Sequence, residues 1–154
     1  MDVADGGLHD ALLQSTVEAK SLIDEEWIHQ KRLGELLMTN GLNMLPVARN
    51  GDCIFESTAQ MVCAANPVLN AANLRSVVCS HMLEYRSEYA GYVCDDIDFE
   101  AGVKQLESLG CWNKGVGNIV PYVLAILFQC QITIYSSHPS MQIINILLFI
   151  FIIK

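Results

Sequence analysis

The sequence predicts an α/β (α+β) fold in which helices flank a small central sheet, and three observations point to it. Apolar residues recur at helical spacing in several segments, most clearly Cys53–Ala65 and Ala71–Tyr85. The segment Gln131–Tyr135 is rich in β-branched residues and alternates as a strand does. Glycine, asparagine and proline separate these segments. Helical and strand periods that alternate within 154 residues are typical of one α/β domain.

Capping residues support the other predicted elements. Further helices are predicted over Leu8–Ile23, Asp24–Asn40, Phe99–Leu109 and Ile119–Phe128. Asp24, Asp98 and Asn118 have side chains of the kind that cap helix N-termini, so each is expected to begin a helix. Gly41 and Gly110 are placed to end two of these helices.

Composition and charge exclude several classes of function. With a net charge of −8, the chain has no excess of basic residues to neutralise the phosphates of a nucleic acid, which argues against nucleic acid as a partner. The same charge would suit a basic protein partner. The first residues are acidic, so no secretory leader is expected. The six cysteines are evenly spread with no C-x-x-C pair, a poor pattern for zinc. We therefore expect reduced thiols in the cytoplasm or nucleus, and no metal.

The most informative stretch is the turn that leads into the helix at Cys53. Asn50 and Gly51 form a turn dipeptide, because Gly51 takes positive φ without strain and Asn50 tolerates it. Cys53 then falls in the first turn of the predicted helix. Unpaired backbone N–H groups and the helix dipole favour a thiolate there. A cysteine in an apolar run is also an ordinary core residue, so this pattern alone leaves both interpretations open.

Two blocks of sequence carry a resemblance to a known family. The run Asn50-Gly51-Asp52-Cys53-Ile54-Phe55 resembles the Asp-Gly-Asn/Asp-Cys-Leu-Phe signature of the ovarian tumour (OTU) family of cysteine proteases, which are mostly deubiquitinases. Further along, Gly110-Cys111-Trp112-Asn113, the helix from Ile119 and the strand to Tyr135 resemble that family's Trp-Gly block, helix and Ile-x-Ile strand. The resemblance implies the OTU-like cysteine protease fold over about residues 45–135.

The resemblance also implies roles for individual residues. Cys53 would be the nucleophile, with Asn50 at the position where the family usually has aspartate. Backbone N–H groups of Gly51 and Asp52 would contribute to the oxyanion hole, and Trp112 and Asn113 would lie on the substrate-side loop. No cofactor is implied, and the expected partner is ubiquitin or a ubiquitin-conjugated protein.

The histidine base of the family departs from its expected place. In the family a His-aromatic motif follows the Ile-x-Ile strand after at least one further strand. Here the histidine after that strand is His138, three residues past Tyr135 and followed by Pro139, which is early for a base. We therefore expect a C-terminally truncated site with impaired activity, and His138 is a weak candidate for the base.

The expected organisation has three parts. Residues 1–41 form a helical extension that begins with a disordered stretch, residues 42–136 form a partial OTU-like domain, and residues 137–154 form an atypical tail. The tail segment Met141–Ile153 is almost wholly apolar, yet its 13 residues are fewer than the roughly 20 that a membrane-crossing helix needs. A buried strand, a tail-anchor remnant or sequence foreign to the domain would each fit, and composition favours the last.

Three functions remain open from the sequence. The first is a thiol protease (a deubiquitinase) that hydrolyses ubiquitin's C-terminal isopeptide bonds through Cys53. The second is a non-catalytic ubiquitin-binding module that keeps the fold without the base. The third is a truncated isoform with no function of its own.

Overall fold

The computed structural model describes residues 6–62, 68–94 and 96–146. These residues form the helices α1 (Gly6–Thr39), α2 (Cys53–Val62), α3 (Ala71–Glu84), α4 (Arg86–Tyr89), α5 (Phe99–Glu107) and α6 (Val120–Phe128), and the strands β1 (Ile132–Tyr135) and β2 (Ile143–Ile146). Two short 3₁₀ helices, Ala90–Tyr92 and Gly117–Ile119, complete the elements of the described residues. This mainly helical α+β architecture confirms the predicted fold class.

The chain divides by packing into two compact units. The first unit is Met1–Met44 with Ile134–Ile144, and the second is Leu45–Thr133 with Asn145–Lys154. The predicted boundary at residue 41 lies near this division. Residues 134–144, by contrast, group with the N-terminal helix, although the sequence analysis divided them between the domain and the tail.

The hydrophobic core of the second unit is built around α3. This helix contacts α2, α5 and α6, and its buried residues recur at intervals of three and four, as a core-facing stripe requires. The fully enclosed core comprises Phe55, Leu74, Val78, Cys79, Met82, Tyr89, Phe99, Val103, Leu106, Val116, Ile119, Val120, Val123 and Leu124. The core therefore lies directly beneath the helix that begins at Cys53.

The N-terminal helix α1 is continuous over Gly6–Thr39, so the two helices predicted on either side of Asp24 are wrong. No proline or glycine stands between Leu8 and Leu33, and an interior aspartate alone does not break a helix. The predicted end is confirmed: Gly41 has φ +68°, and the Leu42 N–H donates to the carbonyl of Leu37 at 2.9 Å.

No helix in the described ranges combines the length and apolar character that crossing a membrane requires.

Two predicted N-caps have different outcomes. Asp98 caps α5, because its carboxylate accepts a hydrogen bond from the Ala101 N–H at 3.1 Å. The Asn118 prediction is wrong: Asn118 lies inside a 3₁₀ turn, and its amide donates to the carbonyl of Lys114 at 3.4 Å. The 3₁₀ turn leads directly into α6, which carries Pro121 in its first turn as predicted. Three predictions fall mainly outside the described residues: the end of the Cys53 helix at residues 63–65, the break at Asn66-Pro67 and the N-terminal disordered stretch.

The strands β1 and β2 form a hairpin, and β2 lies where the sequence analysis placed an atypical tail. A connection of residues 136–142 is too short for a parallel crossover, so the pair is antiparallel. Along Ile143–Ile146 the side chains alternate between exposed and half-buried, a period of two that the longer apolar run obscures. Asn145 accepts hydrogen bonds from Thr133 at 2.9 Å and from Gln131 at 3.3 Å. Residues 147–154 of the predicted tail lie outside the described residues.

The Asp98 cap generates the first prediction. Asp98→Ala removes the acceptor for an orphan N–H of α5, so we expect the free energy of unfolding to fall by about 1 kcal/mol. Chemical denaturation followed by circular dichroism measures this. Asp96→Ala is the matched control, because Asp96 is an exposed acid in the same loop and lies outside the cap. Equal losses in the two variants would contradict the capping role.

Candidate active site

Cys53 is exposed and is the first residue of α2, as the sequence predicts. Its N–H is one of the helix's first amides, which have no acceptor within the helix. The first turn of α2 is closed by the Glu56 N–H, which donates to the carbonyl of Asp52 at 2.9 Å. The thiol therefore lies at the N-terminal end of the helix, beside its first backbone N–H groups.

Asn50 shapes the turn of residues 50–53, which we call the Cys53 turn. Its side-chain oxygen accepts the Asp52 N–H at 3.0 Å, and its amide nitrogen donates to the Glu56 carboxylate at 3.2 Å. The neutral side chain thus holds the loop through hydrogen bonds alone. Of the two backbone donors predicted for an oxyanion hole, Gly51 and Asp52, the second is already bonded to Asn50.

The carboxylate of Asp52 joins the Cys53 turn to the Trp112 loop, by which we mean residues 110–116. One carboxylate oxygen accepts the Gly110 N–H at 3.0 Å. The other accepts a hydrogen bond from Arg75 at 2.5 Å, and the pair forms an ion pair whose arginine side chain is 1% exposed. The two segments that carry the sequence resemblance therefore meet through one carboxylate.

Arg75 is the residue that the sequence analysis missed. It lies on α3 and is fully buried, with its guanidinium carbon 4.4 Å from the centre of the Phe55 ring. Its terminal nitrogens donate to the carbonyls of Leu106, Cys111 (2.8 Å) and Gly51 (2.7 Å) as well as to Asp52. The sequence does contain a signal for this role, because Arg75 lies three, four and seven residues before core positions of the same helix. A charged side chain on that buried face requires hydrogen-bond partners.

Two glycines allow the Cys53 turn and the Trp112 loop to touch. Gly51 has φ +81° and Gly110 has φ +71°, a region that glycine enters without strain. A Cβ on Gly51 would lie 2.2 Å from the carbonyl oxygen of Gly110. The close approach of these two backbones therefore requires glycine at position 51.

Asn113 organises the Trp112 loop from within. Its side-chain oxygen accepts the N–H groups of Gly115 at 2.9 Å and Val116 at 3.0 Å, and its amide donates to Gln105 at 2.7 Å. Trp112 lies over Gly117, where an added Cβ would come within 2.5 Å of the indole, and it remains 37% exposed. Asn113 thus supports the loop, and Trp112 is the member of the predicted pair that presents an aromatic surface to solvent.

The histidines are distributed between the two units. The unit that contains Cys53 has a single histidine, His81, whose ring hydrogen-bonds the hydroxyl of Tyr89 at 3.0 Å. His138 belongs to the other unit, where it is exposed in the hairpin connection and its Nδ1 lies 3.0 Å from the hydroxyl of Ser140. The structure therefore brings together Cys53, Asn50 and Asp52 with the Trp112 loop, within one unit, and His138 is a member of the other.

Cys79 provides an internal contrast to Cys53. It lies in the core, and burial is the main reason that the pKa of its thiol is raised to about 11, with a smaller contribution from the charge of Glu107. Only about one thousandth of such a thiol is ionised at pH 8. Cys79 is thus a packing residue, and it is inert toward reagents that attack thiolates.

The glycine contact generates the second prediction. Gly51→Ala forces a side chain into the Gly110 carbonyl and strains a left-handed residue, so we expect a loss of about 2–5 kcal/mol in the free energy of unfolding. Gly41→Ala is the matched control, because Gly41 has φ +68° but nothing within 4 Å of an added Cβ. Backbone strain alone gives that variant a loss of about 1–2 kcal/mol. Urea denaturation of both variants measures the difference, and equal losses would refute the steric argument.

The third prediction concerns the order in which the cysteines react. At pH 8 under native conditions, we expect iodoacetamide to modify Cys53 about two- to fivefold faster than Cys130, because the positive end of a helix favours the thiolate. Cys130 is also exposed but follows the C-terminus of α6, where the dipole has the opposite sign. Cys79 should react last. Peptide mass spectrometry over a time course gives the rates, and faster modification of Cys130 or Cys94 would contradict this assignment.

Comparison with known proteins gives the family. A model of the OTU-like cysteine protease family matches residues 48–148, which is more than half of the chain. The match begins just before the Cys53 turn, includes the Trp112 loop and extends through β2, beyond residue 136 where the sequence analysis ended the domain. A search of curated proteins found no match to the chain. The fold is accordingly the OTU-like fold, and the chain belongs to the OTU-like cysteine protease family.

Proposed function

We propose that this chain binds ubiquitin-conjugated protein and that Cys53 is the nucleophile for hydrolysis of the isopeptide bond at ubiquitin's C-terminus. The observation that carries the proposal is an exposed Cys53 at the start of α2, in a turn that the hydrogen bonds of Asp52 and Arg75 connect to the Trp112 loop. Ubiquitin is the substrate class because the family resembled here consists mostly of deubiquitinases. The net charge of −8 also suits a partner with a basic surface.

The chemistry follows from the groups in the Cys53 turn. The Cys53 thiolate attacks the carbonyl carbon of the scissile amide, and the carbonyl oxygen becomes an oxyanion. In this proposal, backbone N–H groups at the start of α2, that of Cys53 among them, stabilise the charge. The C–N bond then breaks, the lysine amine leaves after gaining a proton, and water hydrolyses the remaining thioester to regenerate the thiol.

The proton transfers determine the rate. A general acid must donate a proton to the departing amine, and the resulting base must then take a proton from the attacking water; loss of this assistance typically costs about 10²–10⁴ in rate. The one histidine in the unit of Cys53 is His81, which is engaged by Tyr89. We therefore propose that the chain turns over ubiquitin conjugates slowly, in the reducing environment of the cytoplasm or nucleus.

A second candidate function is ubiquitin binding without turnover. The hydrogen bond between His81 and Tyr89 favours this function, because it leaves the unit of Cys53 without a free histidine for proton transfer. The Cys53 turn and the Trp112 loop would still provide a surface for ubiquitin. The two candidates differ in one measurable respect: hydrolysis requires the Cys53 thiol, whereas binding does not.

The fourth prediction tests the proposed function with a fluorogenic ubiquitin substrate. We expect slow turnover by the wild type, and Cys53→Ala should abolish it because no thioester can form. His138→Ala and His81→Gln should each change the rate less than about threefold, since a missing base typically costs far more. Fluorescence at steady state gives kcat/KM, and ubiquitin titration by fluorescence polarisation gives the affinity of each variant.

The possible results separate the candidate functions. Undetectable turnover with retained ubiquitin affinity would establish the binding module instead. Robust turnover that both Cys53→Ala and His138→Ala abolish would identify His138 as the base and would overturn the argument for slow hydrolysis. Absence of both turnover and affinity would refute ubiquitin as the partner.

A further inference from the structure

We infer that Arg75 is a positioning residue for the chemistry of Cys53, and that its guanidinium fixes the Cys53 turn relative to the Trp112 loop. This inference rests on the proposed function. It goes beyond that function because Arg75 does not touch a reacting atom and acts only through Asp52 and backbone carbonyls. It gives a buried cation a role in setting the geometry of the site.

The two terminal nitrogens of the guanidinium reach two different segments. One terminal nitrogen donates to the carbonyls of Leu106 and Cys111, at the end of α5 and in the Trp112 loop. The other donates to the carbonyl of Gly51 and the carboxylate of Asp52, both in the Cys53 turn. The planar guanidinium, carried by α3, thus sets the distance between two segments that are far apart in the sequence.

Further contacts between the Cys53 turn and the Trp112 loop support the connection through Arg75. Asp52 uses its second oxygen to hold the Gly110 N–H, so the same carboxylate is fixed by both segments. Gly51 and Gly110 are already in backbone contact, which prevents the segments from approaching further. Arg75 therefore holds the Cys53 turn beside the Trp112 loop at the close approach that the two glycines allow.

The contact set is specific for arginine, although one of the arginine's donors is left unpaired. The Nε of Arg75 is buried and has no hydrogen-bond partner among the described residues, and an unpaired buried donor is unfavourable. A lysine would avoid that orphan, but its single ammonium has no second nitrogen to reach the other segment. The need to reach both segments explains why arginine stands here.

The fifth prediction uses Arg75→Lys, which keeps the charge and loses the fork. Two further variants accompany it, the first as a control and the second as an independent test. Arg86→Met removes an arginine whose ion pair with Glu100, at 2.6 Å, is exposed, and Asp52→Asn breaks the same connection while leaving Arg75 its carbonyl partners. Three quantities are measured on the full chain: amide hydrogen exchange, the rate of Cys53 with iodoacetamide, and the rate of Cys53 with ubiquitin that carries a C-terminal vinyl sulfone.

We expect Arg75→Lys to speed amide exchange in residues 50–53 and 110–113 about tenfold or more, while amides of α6 stay as in the wild type. The vinyl sulfone rate should fall about 100-fold, because misplacement of a reacting group by about 1 Å costs that much. The iodoacetamide rate should change less than about threefold, since that reagent needs only an accessible thiolate. Asp52→Asn should reproduce this pattern, and Arg86→Met should match the wild type.

Three results would overturn the inference. Wild-type exchange in both segments of Arg75→Lys would show that the guanidinium does not hold them. Faster exchange with an unchanged vinyl sulfone rate, or an equal fall in both rates of Cys53, would show a purely structural role. Failure of the proposed function is distinct: the wild type would then react with iodoacetamide but not with the ubiquitin probe, and the exchange result alone would decide the role of Arg75.

Discussion

The buried ion pair of Arg75 and Asp52 is the interaction on which the arrangement of the site depends. Moving two charges out of water costs several kcal/mol for each ion, and only close geometry with further hydrogen bonds offsets that cost. Here the guanidinium has four acceptors and the carboxylate has a second donor, Gly110. Removal of one partner from such a pair typically costs about 3–5 kcal/mol, because the other charge stays buried. The site and the fold are therefore stabilised by the same contact.

Local signals in the sequence predict the parts of the structure that local physics controls. The Asp98 cap, the glycine at the end of α1, the strand Ile132–Tyr135 and the start of α2 at Cys53 all depend on residues within one turn or strand. Periodicity also predicts the helix α3. The nucleophile turn of the site could be predicted for the same reason, because Asn50 and Gly51 have conformational preferences of their own.

The remaining features depend on contacts between distant segments. The role of Arg75 requires four acceptors, which lie 23 to 36 residues away for the contacts to Asp52, Gly51, Leu106 and Cys111. The strand β2 is concealed in a longer apolar run, and only its pairing with β1 reveals a period of two. Two predictions were wrong for a local reason. Asp24 can cap a helix, but the chain around it continues α1. Asn118 can also cap a helix, but the chain enters α6 through a 3₁₀ turn.

The chain's two tryptophans fall one in each unit, and this has a practical consequence. Trp27 on α1 is 62% exposed and has the Lys31 ammonium 5.3 Å from its ring centre, whereas Trp112 lies against Gly117 in the loop that Asp52 holds. Their emission spectra should differ, because the indole of Trp27 is the more hydrated. Each unit thus carries its own optical reporter, and a chain that retains only Trp112 would make the surroundings of Cys53 visible by fluorescence without any added label.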